Sequence, residues 1–127
     1  MREFTKKPLI IAFGSQVSGQ TRAGSDFDVA VLSEKPLTLA QRSRLSLMLS
    51  KKLKINEDKI DLVDLKVASP MLQYEISREG KLILGSEFDF IRFKVRAWKL
   101  YQDTAKFRRL REQMLKKHVK GIHTQKT

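Results

Sequence analysis

The amino-acid sequence predicts an α/β (α+β) fold, a β-sheet with helices packed on it. Short apolar runs of strand length alternate with longer segments in which apolar residues recur every three or four positions. Turn and capping signals separate the two kinds of segment. The resulting order β-α-β-α-β-α-β-α indicates a single sheet covered by its connecting helices.

The first part of the chain contains two predicted strands. Pro8–Phe13 is an unbroken apolar run that ends at Gly14, as a strand buried on both faces does. The polar residues 15–21 predict a turn that opens a short helix. Asp26–Leu32 predicts the second strand, whose two aspartates stand at alternate positions and therefore share one face with each other.

A helix and an acidic strand follow. Thr38 and Gln41 form a capping-box pattern, which predicts a helix start ahead of an apolar stripe at helical spacing. Lys59–Leu65 predicts the third strand and contains two carboxylates, Asp61 and Asp64. Alternation along a strand places these two side chains on opposite faces.

The last third predicts two more helices and one strand. Pro70 suits the first position of a helix, and Gly80 suits its end. Lys81–Leu84 predicts a short edge strand. Ser86 and Asp89 then cap a long C-terminal helix that is expected to run to about residue 119.

Composition limits the possible functions. The 127 residues include no cysteine, which excludes a disulfide scaffold, a cysteine nucleophile and a thiolate zinc site. The longest apolar stretch near the start is too short to cross a bilayer or to form a secretory signal, so we expect a soluble, cytoplasmic protein.

The formal net charge of +12 is unevenly distributed. Residues 1–91 hold 14 basic and 12 acidic side chains, whereas residues 92–127 hold 12 basic and only 2 acidic ones. We therefore divide the chain into a core, residues 1–87, and a basic C-terminal helix and tail, residues 88–127. This second part either belongs to the same domain or is an arm that binds a partner.

The C-terminal helix leaves its own role open. Its apolar residues at three- and four-residue spacing either pack on the sheet or dock a partner helix or a second copy of the chain. Its basic side chains suit an acidic partner, or RNA as the weaker alternative.

Two groups of residues in the core suit phosphate chemistry. Gly14 and Ser15 stand at the end of a strand and the start of a helix, where backbone N–H groups attract phosphate. Asp26 and Asp28 repel each other on one strand face unless a divalent cation lies between them. Asp61 or Asp64 would complete a two-metal site for displacement at phosphorus.

These residues resemble a known family. Gly14-Ser15, ten intervening residues and Asp26-Phe27-Asp28 are similar to the signature of the DNA polymerase β-like nucleotidyltransferase superfamily, and most of all to its minimal nucleotidyltransferases. The similarity continues through Ile60–Leu65 and Leu72–Leu84, so that it covers about residues 8–85.

The resemblance implies a nucleotidyltransferase fold with a mixed sheet, and transfer of a nucleoside monophosphate from ATP to an acceptor hydroxyl. Two Mg²⁺ ions, or Mn²⁺ in their place, would be held by Asp26, Asp28 and Asp61, with Asp61 also the base for the acceptor and Asp64 the second choice. Gly14 and Ser15 would hold the triphosphate.

The nucleotide contacts include one departure from the family pattern. Arg22 and Ser25, in the loop before the paired aspartates, are the further candidate nucleotide-binding residues. The family commonly has Arg at the position of Ser18, and Arg22 is the candidate substitute for that triphosphate contact.

The resemblance also implies a partner. Many minimal nucleotidyltransferases resemble antitoxins that add AMP to a tyrosine of a HEPN-domain RNase toxin, and we expect that function here. The alternatives are transfer to a small molecule such as an aminoglycoside, neutralisation of the toxin by binding alone, and an RNA-associated role. A homo-oligomer is also compatible with the apolar residues of the C-terminal helix.

Overall fold

The structure is a computed structural model that describes residues 7–14 and 27–125, with side chains described up to residue 119. These residues form four strands, β1 (Leu9–Phe13), β2 (Phe27–Leu32), β3 (Ile60–Asp64) and β4 (Lys81–Leu84). Four α-helices accompany them, α1 (Leu39–Leu53), α2 (Pro70–Glu79), α3 (Glu87–Asp103) and α4 (Ala105–Gln125), with a 3₁₀ turn at Glu57–Lys59. Among the described helices, none combines the length and apolarity that a membrane span requires.

The strands form one mixed sheet in the order β3-β2-β1-β4. β1 pairs antiparallel with both β2 and β4, and β2 pairs parallel with β3. β1 is an inner strand covered on both faces, which is why its sequence is an unbroken apolar run: Leu9 to Ala12 are all buried. The predicted mixed sheet with helices packed on it is confirmed.

Each face of the sheet has its own apolar core. The α2/α3 face buries strand residues such as Ile11 and Ala30 against Ile76 of α2 and Phe93 of α3. The α1 face has a second core, in which the other strand residues pack on α1; its buried members are Ile10, Val29, Val31, Leu45, Leu49 and Leu62. The period-two alternation of the strands therefore sorts their side chains between two layers of helices.

The helices begin where the capping signals predict. Thr38 and Gln41 form a complete capping box at the start of α1. Ser69 accepts from the Leu72 N–H ahead of Pro70 in α2, and Ser86 accepts from the Asp89 N–H in α3. Local side-chain hydrogen bonds thus satisfy N–H groups that have no partner within the helix.

The long C-terminal helix is divided at Thr104. Thr104 separates α3 from α4, and α4 extends to Gln125, beyond the predicted end. The Thr104 hydroxyl and the Arg108 guanidinium both donate to the Tyr101 carbonyl oxygen, each at 2.9 Å. Side-chain donors at a backbone carbonyl compete with the helical hydrogen bonds, which accounts for the break.

Asp64 connects two loops at the far end of β3. The side chain is only 7% exposed, and its carboxylate accepts from the Leu37 N–H at 2.8 Å and from the Lys66 N–H at 3.0 Å. The Asp64 carboxylate therefore connects the segment before α1 to the turn that follows β3 and is the hydrogen-bond acceptor of a backbone N–H group in each.

We predict that Asp64→Ala lowers the free energy of unfolding by about 1–3 kcal/mol, because it leaves two backbone N–H groups without their acceptor. Asp61→Ala is the matched control: it removes an exposed aspartate from the same strand and should change stability by less than about 0.5 kcal/mol. Urea unfolding followed by circular dichroism measures both, and equal losses would contradict a structural role for Asp64.

Candidate functional site

Residues from three strands meet at one end of the strands in the sheet. β1 ends there and Gly14 follows it, while β2 and β3 both begin there. Phe13 pairs with Asp28 across the antiparallel β1–β2 ladder. Asp28 in turn pairs with Asp61 across the parallel β2–β3 ladder. Gly14, Asp28 and Asp61 therefore meet at one place, although 47 positions of sequence separate the first from the last.

Gly14 allows the backbone to lie directly against a carboxylate. Its φ is +83°, a conformation that L side chains rarely adopt. A Cβ atom built at this position would overlap the Asp28 carboxylate. The sequence motif predicts a glycine that lets phosphate approach the backbone, and the structure adds a second reason for it, the close approach of the aspartate.

Asp28 and Asp61 project from the same face of the sheet, because residues in register on neighbouring parallel strands point the same way. The strands lie about 4.8 Å apart, so two negative charges are held close together. Asp28 is half-buried and Asp61 is exposed. Hard carboxylate oxygens in this arrangement suit Mg²⁺ or Mn²⁺, and the exposed Asp61 is open to an incoming substrate.

The structure separates the two candidates for the third carboxylate. Asp61 lies beside Asp28, as preferred from the sequence. Asp64 lies three positions further along β3, on the α1 face and at the other end of the strand, where both its oxygens already accept backbone hydrogen bonds. Asp64 therefore has a structural role and does not belong to the site.

Several predicted site residues lie outside the described part of the chain, so their placement is not part of the site geometry; they are Ser15, Ser18, Arg22, Ser25 and Asp26. Within the residues that are described, no three His, Cys, Asp or Glu side chains form a group able to hold a metal ion. Asp28 and Asp61 supply two such ligands, and Asp26 precedes Asp28 by two positions in the sequence.

A polar concavity next to Asp61 was not predicted from the sequence. It measures about 310 Å³ and is lined by residues of α1, the 3₁₀ turn and β3, which are Arg42, Ser43, Ser46, Glu57, Asp58, Ile60, Asp61 and Leu62. Arg42 donates to the Leu62 carbonyl oxygen at 3.0 Å and so covers part of the open edge of β3. These residues carry no common motif, because three separate elements bring them together only in the folded chain.

The glycine at the end of a strand and the paired aspartates on the next two strands are the arrangement that the nucleotidyltransferase resemblance implies. The sequence model described as "Polymerase beta, Nucleotidyltransferase" matches residues 2–89. The chain therefore belongs to the polymerase beta nucleotidyltransferase family, and it is a nucleotidyltransferase.

Within this family the chain is similar to proteins called protein adenylyltransferase MntA. It is 36% identical over 102 residues to the one from Aphanizomenon flos-aquae, an alignment that covers 70% of this chain and 68% of that protein. It is 35% identical over 97 residues to the one from Shewanella oneidensis, covering 76% of this chain and 68% of that protein.

Solved structures show the same architecture. A chain from the crystal structure of a toxin–antitoxin with AMP-PNP superimposes with a TM-score of 0.67 at 31% identity, covering 84% of this chain and 85% of that one. A chain from the tri-AMPylated Shewanella oneidensis HEPN toxin in complex with the MNT antitoxin gives a TM-score of 0.61 at 30% identity, covering 84% and 82%.

We predict that Gly14→Ala destabilises the protein by at least about 1–2 kcal/mol, since alanine must adopt a positive φ and its methyl group meets the Asp28 carboxylate. The loss should be smaller in an Asp28→Ala background, where the carboxylate is absent. A double-mutant cycle of chemical unfolding measures this coupling, which we expect to exceed about 0.5 kcal/mol. Equal losses in the two backgrounds would contradict the close approach.

Proposed function

We propose that this chain transfers AMP from ATP to a tyrosine hydroxyl of a HEPN-type toxin and thereby acts as the antitoxin. The observation that carries the proposal is the register of β2 and β3, which places Asp28 beside Asp61 next to Gly14. The similarity to protein adenylyltransferases supports AMP as the group transferred. The cytoplasm, where ATP is available, is the expected place of action.

In this proposal the nucleotide and the metals bind where β1 ends and β2 and β3 begin. Asp26, Asp28 and Asp61 hold two Mg²⁺ ions, for which Mn²⁺ can substitute, and Gly14 and Ser15 contact the triphosphate through their backbone N–H groups. When bound, the metals stabilise negative charge on the phosphate oxygens and on the leaving group. Arg22 and Ser25 supply further nucleotide contacts.

The transfer is a displacement at the α-phosphorus. The tyrosine oxygen forms a bond to this phosphorus, the bond from phosphorus to the oxygen that bridges to the β-phosphate breaks, and pyrophosphate leaves. Asp61 accepts the proton of the tyrosine hydroxyl, a role that its exposure at the mouth of the site supports. Asp28 is more enclosed, which suits a ligand that stays with the metal.

The acceptor is assigned from the relatives and from charge. One structural relative is described as part of a complex with an AMPylated HEPN toxin. Residues 92–127 of this chain carry 12 basic and 2 acidic side chains, a charge that repels a polycationic acceptor such as an aminoglycoside. In the proposed division, residues 1–87 together with α3, which packs on the sheet, form the catalytic core, and α4 is the arm that contacts the partner.

We predict that Asp28→Asn and Asp61→Asn each reduce AMP transfer at least about 100-fold, because each removes a charged metal ligand. The measurement is transfer of label from α-³²P-ATP to the purified toxin, with γ-³²P-ATP as the control that must give no labelled protein. Asp103→Asn, an exposed aspartate at the end of α3, is the matched control and should leave transfer unchanged.

Two results would contradict the proposal in different ways. Full transfer by Asp28→Asn would show that the metal assignment is wrong. Absence of transfer by the unaltered chain, together with neutralisation of the toxin that the Asn variants retain, would show an antitoxin that acts by binding alone.

We also predict that removal of divalent cations abolishes transfer and that Mg²⁺ or Mn²⁺ restores it, whereas Ca²⁺ does not support comparable rates, because its larger and more flexible coordination shell suits the displacement poorly. Transfer is measured after chelation and titration with each metal. Undiminished transfer in excess chelator would contradict a metal-dependent mechanism.

A further inference from the structure

Helix α4 presents an apolar surface that no described part of the chain covers. From Lys106 to Val119 every side chain is exposed, apart from the partly buried Arg108. Phe107, Leu110 and Met114 are 71%, 54% and 63% exposed. Their spacing places them on one side of the helix, and together they are called the α4 stripe here. Of the two alternatives for the distal apolar residues, packing on the sheet does not hold for Phe107 and Met114.

Basic side chains flank the α4 stripe. At 100° per residue, Lys106 and Lys117 lie about 40° and 20° from Leu110 around the helix axis, and Arg111 lies about 40° from Phe107 on the other side. Residues 105–125 contain seven Lys and Arg against a single acidic residue, Glu112. Cations therefore border the apolar stripe on both sides.

Side-chain contacts connect the first turn of α4 to α2 and α3. Tyr74 of α2 and Tyr101 of α3 stack with ring centroids 4.1 Å apart and an interplanar angle of 12°. The Arg108 guanidinium lies 3.8 Å from the centroid of the Tyr101 ring and also donates to the Tyr101 carbonyl and to the Thr104 hydroxyl. Because Arg108 belongs to α4, these contacts connect the helix to the core and aim the α4 stripe.

We propose that the α4 stripe is the anchor by which this chain holds its toxin: it inserts into an apolar groove on the toxin whose rim is acidic. The identity of the partner rests on the function proposed above. Apolar side chains at i, i+3 and i+7 on an otherwise polar helix are the pattern of a helix that binds in a groove. The basic side chains that flank the stripe then face the acidic rim and steer the encounter.

Charge and chemistry favour the toxin over a second copy of the chain or an RNA as the partner of the α4 stripe. A second copy of the chain would bring another helix of the same strong positive charge against α4, which is unfavourable. RNA would engage the cations, but its phosphate backbone gives Leu110 and Met114 nothing apolar to bury against. An acidic protein groove contacts both the apolar α4 stripe and the cations beside it.

The experiment measures binding separately from transfer. The full chain carrying Asp28→Asn is titrated into the toxin by isothermal calorimetry, so that no AMP transfer contributes. The triple change Phe107→Ser, Leu110→Ser and Met114→Ser should weaken binding at least about 30-fold. The charge reversal Lys106→Glu with Lys117→Glu should weaken it about tenfold, and more at low salt than at high salt.

Matched controls exclude simple unfolding. Leu39→Ser changes an 82% exposed apolar residue at the start of α1 and should leave the affinity unchanged. Because the α4 stripe is exposed, the triple variant should also retain the thermal unfolding midpoint of the core. Affinity unaffected by the triple change overturns the proposal, as does failure of the Asp28→Asn chain to bind the toxin.

The same variants test RNA, membranes and a second copy of the chain as alternative partners of the α4 stripe. Fluorescence anisotropy with a 20-nucleotide RNA, sedimentation with anionic phospholipid vesicles and analytical ultracentrifugation of the chain alone report RNA, membrane and self-association. Loss of any of these activities in the triple variant, with toxin binding retained, overturns the proposal. Toxin binding through α4 without AMP transfer would instead contradict only the catalytic function.

Discussion

The parallel register of β2 and β3 is the constraint on which the rest of the structure depends. It sets Asp28 opposite Asp61, and a shift of one residue would turn Asp61 to the other face of the sheet. The register is maintained by the apolar side chains that alternate with the aspartates, since Val29 and Leu62 are buried in the core under α1. The packing that stabilises the fold therefore also positions the carboxylates.

The two ends of β3 have different tasks. At its start, Asp61 is exposed and belongs to the lining of the polar concavity. At its end, Asp64 is buried and accepts two backbone hydrogen bonds from the flanking loops. The same residue type is left exposed beside a second carboxylate at one position and stabilises two loops at the other, and burial and available donors decide which.

The C-terminal helices show a similar division. α3 buries Phe90, Phe93 and Ala97 against the sheet and is part of the core. Beyond Thr104 the chain leaves the core, and the α4 stripe is turned to solvent while the stacked tyrosines and Arg108 hold its base. The core thus continues into a basic helix whose apolar stripe is exposed.

Local patterns in the sequence were enough to predict the order of the described strands and helices and the helix starts, because capping and alternation act over a few residues. They also favoured Asp61 over Asp64, through alternation and family resemblance. Only the tertiary structure decided that Asp28 and Asp61 are in register, that Asp64 is fully engaged, and that the α4 stripe is uncovered. These depend on contacts between residues far apart in the chain, which no local pattern contains.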